Sequence, residues 1–215
     1  MSRVRILVLS SRVPPYHALH EAQRQTWDSV EVEGVETDYY FANNWTETYT
    51  EFGPALDRAL QQPWAHLFRT NSSSYVDKRK LLEFSAALPT ERCYCGGIGY
   101  MRGVSYCSGS GLILSRDAVR VLREALRRPP VLPGEREPLP GYCEDVFIGS
   151  ALHQGGIGVL PGAQRCDYWS GERQGPLPDT YHYRCAGTRP DGSRLDFEAF
   201  DTIHAMKLRL AGGLS

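Results

Sequence analysis

Between residues 4 and 88 the sequence alternates three times between a short run of strand formers and a longer stretch with helical spacing, and few architectures accept that pattern. Val4-Arg5-Ile6-Leu7-Val8-Leu9 reads as a first strand, closed by Ser10-Ser11-Arg12 and Pro14-Pro15. Residues 17–27 follow as a helix carrying Ala18, Ala22 and Trp27. A second strand over 37–42 is closed by Asn43-Asn44, and a helix over 50–62 sets Phe52, Leu56, Ala59 and Leu60 on one side before Pro63 stops it. A third strand over 64–69 runs into the polar stretch 70–76. Residues 77–88 are then helical, with Leu81, Leu82, Phe84 and Ala86 on the apolar side. The alternation predicts an α/β domain: a mixed, mostly parallel sheet flanked by helices. Open sheets of this kind bind ligands off the carboxyl ends of their strands, where Ser10-Ser11-Arg12 and Arg69-Thr70-Asn71-Ser72-Ser73 lie.

The second half is less regular. Strands are expected over 95–99, 108–114, 157–160 and 181–185, with helices over 115–127, 144–153 and 197–210. The 115–127 helix has Asp117 early and Arg123 and Arg127 late, as the helix dipole favours. Gly155-Gly156 closes the 144–153 helix, and the last helix turns Phe200, Ile203, Met206 and Leu210 inward. Residues 129–141 hold five prolines and read as a surface excursion; 161–178 are irregular. With no repeat and no linker, residues 1–215 read as a single domain.

Composition excludes several function classes. Charged residues are 23% of the chain but the net charge is -1, which does not suit a polyanion-binding surface, so nucleic acid is not an expected partner. No apolar run approaches the ~20 residues of a membrane span, and Met1-Ser2-Arg3-Val4-Arg5 leads straight into a strand without a signal peptide. A cytoplasmic protein with reduced thiols is the expectation. Cys93-Tyr94-Cys95 and His182-Tyr183-Arg184-Cys185 offer four soft zinc ligands, but a one-residue spacing is unusual for zinc, and buried free thiols are the expected state.

The chemistry concentrates in two segments. Tyr142-Cys143-Glu144-Asp145-Val146-Phe147-Ile148-Gly149 sets two adjacent carboxylates against an apolar run, and Tyr106-Cys107-Ser108-Gly109-Ser110-Gly111 is a small-residue segment leading into Leu112-Ile113-Leu114. An acidic pair at a helix start serves the dipole. Between apolar neighbours it also suits a general base acting on an alcohol.

Four segments, in chain order, resemble the fringe-type β-1,3-glycosyltransferases of the GT-A fold. His20-Glu21-Ala22-Gln23-Arg24-Gln25-Thr26-Trp27 is similar to that family's Arg–x–Thr–Trp helix. Arg69-Thr70-Asn71-Ser72-Ser73-Ser74-Tyr75-Val76 stands where the family carries its acidic metal motif. The segment from Tyr106 to Arg116 resembles the Tyr-Cys-Ser-Gly-Gly-Gly–Leu-Ser segment, and Glu144-Asp145-Val146 the Glu-Asp-Val motif. The likeness runs over residues 4–155 and extends to small bacterial and large-virus glycosyltransferase domains without a membrane anchor.

The resemblance implies a GT-A-type, Rossmann-like domain with a nucleotide-sugar half over about 1–100 and an acceptor and catalytic half over about 101–215. It implies an inverting transfer of a sugar from a nucleotide-diphosphate sugar, expected to be a UDP-sugar, to a carbohydrate or glycoconjugate hydroxyl. Asp145 would be the base. Glu144, Gly109, Ser110 and Trp169 would face the acceptor, although Trp169 and Tyr168 fit a core equally well. Ser10, Ser11, Arg12, Arg24, Arg69, Asn71, Ser72, Ser73, His182 and Arg184 would face the donor.

The chain departs from the family at Asn71-Ser72-Ser73, where relatives hold Mn²⁺ or Mg²⁺ on Asp-x-Asp. Neutral amides and hydroxyls are poor ligands for hard cations, so no protein metal site is assigned; at most a weakly held Mn²⁺ or Mg²⁺ accompanies the diphosphate. Arg12, Arg24, Arg69 or Lys78 would carry the leaving-group charge, with Asp77 or His182 as a lone replacement ligand. Two other readings compete with transfer: a non-catalytic nucleotide-sugar or carbohydrate-binding domain, and a nucleotide-sugar hydrolase in which water replaces the acceptor.

Overall fold

The computed structural model describes residues 3–128, 131, 144–163, 165–167 and 180–211. Strand β1 (Val4–Ser10), helix α1 (Tyr16–Gln25), β2 (Val35–Phe41), α2 (Trp45–Leu60), β3 (His66–Asn71), β4 (Ser74–Val76) and α3 (Lys78–Ala86) make the first half. The hairpin β5 (Tyr94–Met101) and β6 (Val104–Ser115) follows, then α4 (Arg116–Ala125), α5 (Glu144–Gln154), β7 (Arg165–Asp167), β8 (His182–Arg184) and α6 (Asp196–Ala211). Five strands form one sheet in the order β2-β1-β3-β6-β5, in which only β6 runs against the others. A smaller sheet, β4-β8-β7, stands beside it. The mixed α/β architecture expected from the alternation is present.

The core follows from the two-residue period of the strands. Val4, Ile6 and Val8 of β1 face one side with Phe68 and Ile113, where they meet Leu19, Trp27, Leu81, Tyr181, Phe200 and Ile203. Leu7 faces the other side with Leu67, Leu112 and Leu114, packed under Phe52, Leu56, Leu122, Phe147 and Ile148. Both faces are therefore covered by helices, which explains why the central strands read as nearly continuous apolar runs. Among the described residues no helix is long and apolar enough to cross a membrane.

Several boundaries differ from the sequence expectation, each for a local reason. Helix α2 begins at Trp45 rather than residue 50 because Asn44 caps it: the Asn44 side chain accepts from the Glu47 amide at 2.9 Å while the Glu47 carboxylate accepts from the Asn43 amide at 2.8 Å. The two short strands expected over 95–99 and 108–114 are one long hairpin, turned by Arg102 and Gly103 at φ 51° and 77°. The strand expected over 157–160 reduces to a single bridge between Leu160 and Cys95, and β7 rises from the stretch read as irregular. Leu210, expected to face inward, is 70% exposed, whereas Phe200 and Ile203 are buried. Cys93, Cys95 and Cys107 are buried free thiols, Cys185 is buried as well, and burial pushes the Cys95 thiol up to about 11.

Candidate active site

The carboxyl ends of β1 and β3, the middle of β6, the first turn of α5 and the edge of the small sheet enclose a cleft of about 540 Å³. Ser10, Ser11, Arg69, Asn71, Ser72, Ser73, Gly109, Ser110, Glu144, Asp145 and Arg184 all line it, so most of the residues singled out in the sequence come together.

One wall is built around Arg69. Its guanidinium is 2% exposed and donates to the Tyr40 hydroxyl at 3.2 Å, to the Gly109 carbonyl, and to Glu144 Oε2 at 2.7 Å. Burial works against the Arg69 charge, but Glu144, Tyr40 and Asp145 together outweigh it and hold the guanidinium protonated above its ordinary range. Glu144 is 5% exposed, and its second oxygen, Oε1, is buried with no hydrogen-bond partner among the described residues. Burial, opposed by Arg69 and reinforced by Asp145, raises the Glu144 carboxyl to about 7. Asp145 is half-buried, and its carboxylate lies directly over Gly109. A β-carbon on Gly109 would overlap both Asp145 Oδ1 and the Arg69 guanidinium, so only glycine admits this approach. The two adjacent carboxylates thus have different environments: one is sealed in an ion pair and one faces the cleft.

The opposite wall is the turn between β3 and β4. Gln23 of α1, fully buried, donates to the Asn71 and Ser74 carbonyls at 3.1 and 2.8 Å and pins that turn. Asn71 Oδ1 accepts from Arg184 Nη1 at 2.6 Å and from the Ser73 amide at 3.2 Å. Ser73 Oγ accepts from Arg194 Nη2 at 2.9 Å. Arg194 is itself held by Asp196 at 2.8 and 3.0 Å, and Asp196 is fully buried. Arg165, from β7, lines the same side.

Three expected donor residues stand elsewhere. Arg24 is exposed and does not line the cleft, because its neighbour Gln23 is the residue that α1 turns inward, and one residue along a helix is a rotation of about 100°. Arg12 is exposed, with its guanidinium 5.0 Å from the centre of the Phe41 ring, and does not line the cleft either. His182 is 1% exposed beneath the floor: its ring fills the space left by Gly111, and its Nε2 meets Ser74 Oγ at 3.0 Å. Burial, with Arg165 and Arg184 adding to it, holds the His182 imidazole well below its ordinary pKa. Lys78 is engaged by Asp28 at 2.8 Å. Trp169 and Tyr168, like Tyr142 and Cys143 at the start of the acidic segment, lie outside the described residues.

The turn Asn71-Ser72-Ser73 does not fit a divalent cation. A guanidinium already occupies the Asn71 oxygen and another the Ser73 hydroxyl, while Asp77 caps α3 through the Lys80 amide at 3.1 Å and pairs with Lys207 at 2.7 Å. A hard cation needs several oxygen lone pairs, and those in this turn face positive groups.

Arg165 and Arg194 went unnoticed in the sequence, since both lie in stretches without hydrophobic periodicity. Gln23 could have been found, because a glutamine on the inward face of a helix needs partners.

No protein-family model matches the sequence, and no curated protein sequence matches it. Among solved structures, the chain is similar to a glycosyltransferase involved in the glycosylation of the major capsid of PBCV-1, with a TM-score of 0.56 over 93% of this chain and 98% of that one, at 10% identity. At that identity the likeness concerns the fold: the chain has a glycosyltransferase-like α/β fold, whose cleft lies at the carboxyl ends of β1 and β3.

Proposed function

We propose that this chain is an inverting glycosyltransferase of the fringe-like type that moves a sugar from a nucleotide-diphosphate sugar, most simply a UDP-sugar, to an acceptor hydroxyl, with Asp145 as general base. The observation that carries the reading is the half-exposed Asp145 carboxylate seated over Gly109, facing across the cleft a turn held by two guanidinium groups. An in-line displacement needs these two features on opposite sides: a base at the incoming oxygen and positive charge at the departing one. Asp145 takes the proton of the acceptor hydroxyl as that oxygen bonds to the anomeric carbon. The bond from carbon to the phosphate oxygen breaks, and its electron pair leaves with the nucleoside diphosphate.

Glu144 has a separate task in this reading. Locked to Arg69 and buried, it is a poor base toward a substrate, and its task is to hold the guanidinium that grips the Gly109 carbonyl beneath Asp145. Ser108 and Ser110, whose hydroxyls are 2.9 Å apart, line the acceptor side.

The test is nucleotide release from a panel of nucleotide sugars, with and without sugar acceptors. Acceptor-dependent release is expected, and Asp145→Asn is expected to lower it by about 10²–10⁴-fold with donor affinity retained. Turnover by Asp145→Asn at the parent rate would remove the base from this account. Release that ignores every acceptor would favour a hydrolase.

A further inference from the structure

Resting on the reading above, we propose that Arg184 and Arg194, with Arg165 beside them, form a guanidinium cradle that takes the diphosphate of the donor and does the work for which related sites use a divalent cation. The small sheet exists in the right place to supply it. Pairing of β4 with β8 sets Ser74 opposite Arg184, and pairing of β8 with β7 sets His182 opposite Arg165, so the residues after the β3 turn and the arginines rise on neighbouring strands. Arg184 reaches back to Asn71 and Arg194 to Ser73, the first and third residues of the turn where an acidic metal motif would stand. Each cation is thus delivered to the spot that a metal would otherwise fill.

The cradle is held in shape before any ligand arrives. Asp196, fully buried at the start of α6, grips Arg194 through two hydrogen bonds, and the Tyr16 ring lies 5.7 Å from that guanidinium. Asn71 is in turn fixed through the backbone by Gln23. Four guanidinium groups, those of Arg69, Arg165, Arg184 and Arg194, line the described part of the cleft against the carboxylates of Glu144 and Asp145 and, behind Arg194, that of Asp196. That excess of positive charge suits a group that gains negative charge as it leaves. His182, beneath the same arginines, stays neutral and serves as a hydrogen-bonding prop rather than as a further cation. Guanidinium forks also match phosphate geometry in pairs of hydrogen bonds, whereas a lone ammonium does not.

Calorimetry on the full chain tests this with UDP, GDP, ADP, CDP and dTDP, each against its nucleoside, in EDTA and in Mn²⁺. The diphosphate that binds is expected to do so in EDTA within about twofold of its affinity in Mn²⁺, and inorganic pyrophosphate is expected to displace it in EDTA. Arg184→Gln and Arg194→Gln are each expected to lower the diphosphate-to-nucleoside affinity ratio by about tenfold, with the nucleoside itself binding as before. Arg184→Lys is expected to fall between the parent and Arg184→Gln, and guards against a glutamine variant that fails to fold. Binding that collapses in EDTA, or an affinity ratio untouched by all three variants, overturns the cradle and leaves glycosyl transfer standing. If no nucleoside diphosphate binds with or without Mn²⁺, the transferase reading falls as well.

Discussion

The two walls of the cleft are built by different means. The Asp145 wall belongs to the main sheet and α5, and its groups are nearly sealed: the Arg69 and Glu144 side chains are 3% and 6% exposed, and glycine is required where Asp145 passes. The Asn71 wall belongs to a turn and a small second sheet, and its arginines are partly exposed and engaged with neutral groups as well as with Asp196. The proposed reaction asks for this difference: a base must sit at one point relative to the attacking oxygen, whereas charge on a diphosphate is spread over several oxygens and asks for positive potential more than a fixed point. The two walls thus differ in how tightly packing fixes their polar groups.

The comparison breaks most visibly at Arg69. Replacing it with methionine leaves the Glu144 carboxylate buried without its counter-charge, and the expected loss is about 3–5 kcal/mol in urea unfolding above pH 7 or so. In acid, where Glu144 protonates, the loss is expected to shrink. Gly109→Ala would push its methyl into both the Asp145 carboxylate and the buried Arg69 guanidinium; transfer is expected to drop about 10²-fold with a lowered melting temperature while donor affinity holds, measured as kcat against Kd.

A smaller effect separates the adjacent carboxylates. The Glu144 carboxyl is raised from its ordinary 4.5 to about 7, so between those values the folded protein holds a proton that the unfolded chain has released. Its contribution to stability is therefore complete below about 4.5 and is lost as pH rises through about 7. Glu144→Gln is expected to flatten the fall in melting temperature over that window. A profile with the same slope in the variant would contradict the sealed state of this wall. The smallest effect belongs to a pair outside both walls, Arg123 with Asp57 at 2.7 Å on the surface of α4 and α2. Arg123→Ala is expected to cost about 0.2–1 kcal/mol, less at high salt, and to leave donor affinity alone.

Legibility in the sequence followed the same division. The first wall was readable because its parts are contiguous: Glu144-Asp145 before an apolar run, and Gly109 and Gly111 before a buried strand. The second was half readable. Asn71-Ser72-Ser73 stood out as a departure, and Arg184 shared a strand face with His182, but the same alternation that put both on one face did not say which of them reaches the cleft. His182 lost that contest because Gly111 offers its ring a buried seat. Arg24 stands exposed outside the cleft, and one residue earlier Gln23 is the side chain that α1 turns toward the β3–β4 turn.

What the sequence determined by itself is local and periodic. Two-residue alternation set the faces of β1, β3 and β6, helical spacing and proline or glycine stops placed most helices, and the adjacent carboxylates marked the end of α5 that meets the cleft. Tertiary structure decided which charges meet. Arg69 and Glu144 are 75 residues apart, Asn71 and Arg184 are 113 apart, and Ser73 and Arg194 are 121 apart. No local propensity encodes such pairs. They form because burial of both sheet faces fixes the strand order and seats α5 and α6, and that packing brings those side chains to one cleft.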